Sequence, residues 1–387
     1  MQNYCDVIFV LPGISIKYPA GGYDIVYRLC SALNENNLKC AIIFETDPSL
    51  YIPKYVKNDI HGKLNLFFPF FKRIFYGKKL IHLYKHWEFI NKLLFRTDYN
   101  YNILKNTDCY LYTNIEDIEF KTRLMIATAW QTAYFVKEYC IKEKDVKPFY
   151  FVQNSEDDIS FSGSNSNNAK ETYTFPFKKI VINRKIYNRF RDDNPLFIHV
   201  GIDTNFYHVI NSVEGRSNIT FPLRRGESKG GKYAIECIEK LLTVKSIKKI
   251  VVFGDFLPKE IPDNIRSKIK YYYLPTRETL RKIYNESAIF VLPSIVEGIP
   301  LPPLEAMYCG SAVVVTDNGG VNEYIEDGYN GLMCQVRDSN CLFEKIMYLI
   351  NNEELRLKLV KNGIETAKLY SYSEMTKQFI DKIKGYL

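Results

Sequence analysis

Pro293-Ser294-Ile295-Val296-Glu297-Gly298-Ile299-Pro300-Leu301-Pro302-Pro303-Leu304-Glu305-Ala306-Met307 carries more structural information than any other run in this chain. It follows an apolar segment, Ala288 to Leu292, that reads as a strand, and its last residues open a helix. Pro302 and Pro303 suit a helix start, where the fixed φ of proline fits and its missing N–H is not needed. A loop running from a parallel strand into a helix N-terminus presents backbone N–H groups and the positive end of the helix dipole, which suits a phosphate. Glu297 and Glu305 bracket that loop with seven residues between them. Carboxylates repel phosphate, so their natural partners are neutral sugar hydroxyls. Phosphates flanked by sugars describe a nucleotide-sugar. The competing reading is a βα unit whose glutamates only cap a helix.

Outward from this run, the pattern is a repeated alternation of short apolar strands and helices. Asp6 to Leu11 has the composition of a central parallel strand. Tyr23 to Asn34 places Ile25, Val26, Leu29 and Leu33 on one helical face, and Cys40 to Phe44 completes a βαβ unit. Further strands are expected at Cys109 to Tyr112, Leu124 to Ala127, Phe149 to Val152, Lys179 to Ile182 and Leu196 to Val200. Helices are expected at Ala129 to Tyr139 and Arg184 to Arg191. A second series has strands at Ile219 to Leu223, Lys249 to Phe253, Lys270 to Tyr273, Ala288 to Leu292 and Ala312 to Val315. The fold class is α/β, with a first doubly wound domain over residues 1–207 and a second over 208–371.

The motif around Glu297 and Glu305 resembles the signature of the family 4 retaining glycosyltransferases of GT-B fold, in which two Rossmann-like domains face each other across a cleft. The resemblance implies that Glu297 meets hydroxyls of the donor sugar and that Glu305 binds the nucleotide ribose. It implies that the helix over residues 372–387 crosses back onto the first domain. Arg224 and Lys229, five residues apart in Pro222-Leu-Arg-Arg-Gly-Glu-Ser-Lys229-Gly-Gly, resemble the family element whose cations hold the donor diphosphate. A guanidinium offers paired donors to such an anion. Arg225 is an adjacent candidate for the same role. The loop Gly298, Ile299, Pro300 and Leu301 would meet the phosphates, and Gly21 and Gly22 resemble the N-terminal glycine loop that admits phosphates and acceptor. Tyr272, Tyr273 and Pro275 stand where the family places the base.

Two first-domain runs narrow the resemblance. Leu124-Met-Ile-Ala-Thr-Ala-Trp130-Gln131-Thr-Ala133 and Phe149-Tyr-Phe-Val-Gln153-Asn154-Ser-Glu156 look like rhamnosyltransferases that build surface glycans, although those carry aspartate where this chain has Asn154. Many family members place a histidine after the first-domain strand to meet the donor 6-hydroxyl. Here Trp130 and Gln131 stand instead, and an indole suits a 6-deoxy sugar.

Composition bounds these expectations. At 387 residues, 46% hydrophobic and 25% charged, the chain is long enough for two domains. No N-terminal signal pattern and no long uncharged stretch is evident, and nine scattered cysteines read as reduced thiols, so a cytoplasmic site is expected. The net charge of +8 owes much to a basic, aromatic stretch from Phe67 to Arg96, including Trp87, Phe89 and Lys92, which suits peripheral contact with the inner face of a membrane carrying a lipid-linked acceptor. The alternative there is a core helix with a solvated basic face. Nucleic acid is not an expected partner, since no binding-module signature is present. His82 and His86 have metal-like spacing but lack a third ligand, and no metal or other cofactor is expected. Nor does a Gly-x-Gly-x-x-Gly follow the first strand, which argues against a nicotinamide cofactor. Two rival functions share the fold: a catalytically silent subunit and a sugar-nucleotide epimerase.

Overall fold

The structure is a computed structural model, and it describes residues 4–13, 21–45, 103–104, 106–112, 115, 118, 121–158, 163–256 and 258–387. The basic, aromatic stretch from Phe67 to Arg96, with His82 and His86, lies outside the described residues.

Seven parallel strands form the first sheet: β1 (Tyr4–Leu11), β2 (Cys40–Glu45), β3 (Asp108–Tyr112), β4 (Lys121–Ala127), β5 (Lys147–Val152), β6 (Lys178–Val181) and β7 (Leu196–Phe197), in the order β3-β2-β1-β4-β5-β6-β7. Six more form the second: β8 (Asn218–Leu223), β9 (Lys249–Gly254), β10 (Lys270–Tyr273), β11 (Ser287–Leu292), β12 (Ala312–Thr316) and β13 (Leu332–Cys334), in the order β10-β9-β8-β11-β12-β13. Both are doubly wound. Strands in such sheets are covered by helices on both faces, so they read as continuous apolar runs. Every residue of β11 and β12 is buried.

The helices that cover the first sheet are α1 (Gly21–Glu35), α2 (Trp130–Lys142), α3 (Ser166–Thr172) and α4 (Arg184–Arg189). Those of the second are α5 (Gly231–Leu241), α6 (Asp263–Arg266), α7 (Arg277–Glu286), α8 (Leu301–Tyr308), α9 (Ser339–Asn351) and α10 (Glu353–Lys368). Last comes α11 (Tyr372–Ile383), which returns to the first sheet. There the Phe379 ring lies 5.8 Å from that of Phe9, and Tyr386 stands edge-on to Phe149 at 5.1 Å.

Three differences from the expected elements have local causes. β13 has three residues, too few for a periodic signal, and it is held by pairing with Val314, Val315 and Thr316 of β12. β7 ends at Phe197 rather than Val200, because beyond Ile198 the pairing leaves β6: the His199 N–H goes to Gln378 Oε1 at 3.2 Å, while Ile198 and Val200 stay buried. α4 stops at Arg189, and after a short 3-10 turn Asn194 takes a left-handed φ of 47°.

The two crossings between the sheets run side by side. Ile202 donates its N–H to the Tyr370 carbonyl at 2.8 Å, and Tyr372 returns an N–H to the Ile202 carbonyl at 3.0 Å. Beside them Asp203 accepts from Arg28 of α1 and from Arg277 of α7, each at 3.2 Å. Arg28 also lies over the Tyr372 ring, 4.6 Å from its centroid, and the Tyr372 hydroxyl bonds Asp24 of α1.

Candidate functional site

In an open doubly wound sheet the natural crevice lies beyond the carboxyl ends of the strands where the order reverses. In the second sheet that point falls between β8 and β11. Arg224 follows β8 directly, and the Pro293–Pro300 loop follows β11. In the first sheet the reversal falls between β1 and β4, so the Gly21–Gly22 start of α1 and the Trp130 end of α2 flank it.

Within the second domain the short turn Glu227–Lys229 is pressed onto the β11 loop. Ile295 donates its N–H to the Ser228 carbonyl at 2.7 Å. Gly230 sits at φ +66°, and a Cβ there would come 1.9 Å from the Pro293 carbonyl oxygen, so only glycine permits this approach. The consequence is a direct contact: Lys229 Nζ donates to Glu297 Oε2 at 2.8 Å. Ser294 Oγ donates to the other carboxylate oxygen at 2.9 Å. The Glu297 N–H is held by the Asn318 carbonyl at 3.1 Å. Asn318 itself is buried; its side-chain oxygen receives the N–H groups of Gly320 and Val321, and its Nδ2 has no partner.

The loop beyond Glu297 leaves N–H groups free. Those of Gly298 and Ile299 have no hydrogen-bond partner among the described residues. Pro300, Pro302 and Pro303 have none to offer, so the donors at this helix start are fewer than a loop of ordinary residues would supply. The Pro300 carbonyl is tied to the Tyr324 hydroxyl at 2.6 Å, and Leu301 is buried.

Glu305, on the first turns of α8, accepts from the Tyr284 hydroxyl at 3.0 Å. Burial pushes its carboxyl up to about 7, against the lowering effect of Arg277, the Tyr284 bond and Arg224. Arg224 is exposed, and its charge reaches both Glu305 and Tyr284. Arg225 points elsewhere. Its backbone N–H meets Asp255 at 2.8 Å and its guanidinium is paired with Glu260. Tyr272 is half-buried beneath Lys270, and Tyr273 is exposed.

The first domain closes on this loop. A Cβ on Gly298 would lie 2.1 Å from the Gln153 carbonyl oxygen and 2.4 Å from Asn154 Oδ1. A Cβ on Gly22 would meet Gln153 Oε1 at 2.7 Å, so Gln153 touches both the glycine start of α1 and the β11 loop. Trp130, half-buried at the first residue of α2, stands edge-on to Tyr134 with centroids 6.3 Å apart. The Trp130 backbone N–H meets the carboxylate of Glu156, which burial raises to about 7 and to which Tyr150 donates at 2.5 Å.

Lys229, Glu297, Gly298 and Ile299 thus form one cluster, with Arg224 and Glu305 forming another beside Arg277. Gln153 and Gly22 approach from across the cleft, while Arg225 joins neither cluster. Sequence reading does not reach Asp203, Arg277 or Tyr284, whose partners lie 21 or more residues away, nor the bond from Asn183 to Gly298. The buried polar residue Asn318 could have been found from its place in the Asn318-Gly-Gly turn. Among the described residues, no three His, Cys, Asp or Glu side chains are placed to hold a metal ion.

Comparisons with known proteins bear on the fold and on the second domain. Residues 205–366 match the family model described as Glycosyl transferases group 1. A Campylobacter jejuni N,N'-diacetylbacillosaminyl-diphospho-undecaprenol alpha-1,3-N-acetylgalactosaminyltransferase is 38% identical over 109 residues, 28% of this chain and 29% of that protein. An Escherichia coli O-antigen chain mannosyltransferase B is 31% identical over 116 residues, 30% of each chain. These matches span under a third of the relatives' length. The solved structure of Anabaena Alr3699/HepE in complex with UDP-glucose superposes with a TM-score of 0.71 at 14% identity, covering 98% of this chain and 99% of that one. The chain has the GT-B fold, and within it the stretch 205–366 is similar to the group 1 glycosyl transferases.

Proposed function

We propose that the protein is a retaining glycosyltransferase of the hexosyltransferase type, moving a sugar from a nucleoside-diphosphate donor to a hydroxyl of a glycan or lipid-linked acceptor in surface-glycan biosynthesis. The observation that carries this reading is the Lys229–Glu297 contact beside the free N–H groups of Gly298 and Ile299. A cation and two amides meet the diphosphate, and the carboxylate turns toward the sugar. Glu305 receives the ribose hydroxyls, and Arg224 adds charge at the phosphates.

In the reaction the C1–O bond to the β-phosphate breaks as a bond to the acceptor oxygen forms on the same face. The acceptor proton passes to the departing phosphate oxygen, so no protein nucleophile is needed. Lys229, Arg224 and the loop amides stabilise the negative charge that develops on the diphosphate. Gly21 and Gly22 let the acceptor and phosphates approach the backbone, and Gln153 packs against Gly22 beside them.

The donor we favour is a 6-deoxyhexose, with dTDP-rhamnose first, because the Trp130 indole stands where other members place a 6-hydroxyl partner. A methyl against an apolar wall separates close analogues by only ~1–3 kcal/mol. Lipid-linked acceptors fit the names of the relatives. Among the described residues no helix is long and apolar enough to cross a membrane, and the contact we favour at its inner face is peripheral.

The test is a donor screen by release of nucleoside diphosphate with a lipid-linked oligosaccharide as acceptor. Comparing kcat/KM for dTDP-rhamnose, UDP-glucose, UDP-galactose, UDP-N-acetylgalactosamine and GDP-mannose ranks the donors. A hexose with its 6-hydroxyl intact winning would remove the deoxy-sugar assignment and leave the transferase reading. Isomerisation of the donor without transfer would favour an epimerase, and neither reaction would mean a silent subunit.

A further inference from the structure

Asn183 occupies a position that the reaction scheme above does not use. It is 2% exposed, the N-cap of α4, and it lies in the first domain. Its two side-chain atoms do different things. Oδ1 accepts the N–H of Ile186 at 2.8 Å, which caps α4. Nδ2 crosses the cleft and donates to the Gly298 carbonyl at 2.9 Å. The next residue repeats the crossing, since the Arg184 N–H donates to Glu323 Oε1 at 2.6 Å. Two consecutive residues of one domain therefore hold two loops of the other, the one after β11 and the one after β12. The Gly298 carbonyl shares its peptide plane with the Ile299 N–H, so fixing one orients the other.

We propose that the start of α4 is a clasp that holds the two domains closed over the β11 loop, with Asn183 as a positioning residue for the transfer reaction. This rests on the transferase reading only for its kinetic consequence. The closing role stands on geometry alone. A buried interdomain hydrogen bond that must break when the cleft opens biases the equilibrium toward the closed form. The glycines make the docking tight: a Cβ at Gly320 would lie 2.4 Å from the Gly298 carbonyl oxygen, so the two C-domain loops move together with the clasp.

Asn183→Ser separates the two functions of the side chain. A serine hydroxyl still caps the helix, but it is too short to reach Gly298. Asn183→Asp keeps the cap and sets a carboxylate against a carbonyl oxygen. Glu323→Gln weakens the second crossing without touching the first. Small-angle scattering of the free protein reads the domain separation, and circular dichroism and melting temperature confirm that each variant is folded. Both Asn183 variants should show a larger radius of gyration than the parent, with Asp the larger, and Glu323→Gln a smaller shift in the same direction. Turnover should fall about tenfold or more, in line with the loss of one buried hydrogen bond. Binding of UDP or dTDP, measured by calorimetry, should stay within about threefold, because Lys229, Arg224 and Glu305, the side chains assigned to the diphosphate and ribose, all lie in the second domain.

A purely structural role would lower the folded fraction and leave kcat per folded molecule unchanged. Folded Asn183→Ser with unchanged scattering overturns the clasp, whatever the activity. Opened domains with unchanged kcat overturn the positioning role. Opened domains in a protein that transfers no sugar from any donor would leave the clasp standing and remove the transferase reading instead.

Discussion

Replacing Glu297 with glutamine separates two effects that replacement with alanine would merge. Glu297 Oε2 lies 2.8 Å from Lys229 Nζ and Oε1 lies 2.9 Å from Ser294 Oγ. The carboxylate is well shielded, with 14% of its side chain exposed against 25% for the lysine. Glutamine keeps the shape and the Ser294 contact and removes one negative charge. Charge-assisted hydrogen bonds are worth about 1.5–3 kcal/mol, so sugar hydroxyls held by the carboxylate in the transition state lose about that much. At ~1.4 kcal/mol per tenfold, turnover should fall by two orders of magnitude or more at the upper end. Diphosphate binding should move the other way. Two unit charges about 6 Å apart in an effective dielectric near 40, between the surface and bulk-water values, repel by about 1.4 kcal/mol. Removing that repulsion, and freeing Lys229 for phosphate, should tighten UDP or dTDP binding about tenfold. The assay is calorimetric titration with the diphosphate beside steady-state release of the diphosphate with acceptor present. Tighter nucleotide binding with depressed kcat supports the assignment. Weaker binding with kcat unchanged would refute it, because the carboxylate would then be organising the phosphate site rather than the sugar.

The other predictions use the same two measurements. Arg224→Ala should weaken binding of the nucleoside diphosphate far more than of the bare nucleoside, while Arg225→Ala, which removes the guanidinium contacts to the Asp255 carbonyl and to Glu260, should affect neither by more than about threefold; equal losses for both ligands at Arg224 would make it structural. Gly298→Ala puts a methyl 2.1 Å from the Gln153 carbonyl oxygen, and overpacking of about 1–3 kcal/mol against the closed form should cut kcat by roughly 5- to 150-fold with little change in melting temperature, provided the open form is folded; unchanged kcat would show that the cleft need not close this far. Glu305 has a folded carboxyl pushed up to about 7 by burial, above the ordinary value of 4.5. The folded protein therefore binds this proton between those pH values and the unfolded chain does not, so the stabilisation is complete below pH 4.5 and is lost as pH rises through 7. Melting temperature should fall less steeply from pH 5 to 7 in Glu305→Gln than in the parent, and nucleotide affinity should lose its decline below pH 7; parallel pH profiles in the two proteins would contradict the shift.

Local and distant interactions divide this protein sharply. The fold class was legible because a parallel strand buried on both faces must be apolar along its length, and because helices between such strands repeat the 3.6-residue pattern. Both are properties of neighbouring residues. The stretch from Pro293 to Met307 was legible for the same reason, since the prolines, the glycine and the glutamate spacing all act within one strand-loop-helix unit. β13 escaped notice because three residues have no periodicity, and its existence depends on the edge that β12 offers.

Contacts across the fold were decided by tertiary structure. Lys229 meets Glu297 from 68 residues away, and Asn183 meets Gly298 from 115. No spacing rule reaches over such distances; the contacts exist because the doubly wound order brings the ends of β8 and β11 together and sets α4 against the loops of the other sheet. The choice between Arg224 and Arg225 was equally beyond local reading. Two adjacent arginines are equivalent in sequence, and what distinguishes them is that the Arg225 guanidinium pairs with Glu260 while the Arg224 charge acts on Tyr284 and Glu305. The raised carboxyl of Glu305 has the same origin, because burial belongs to the assembled domain and a glutamate in an extended chain is solvated.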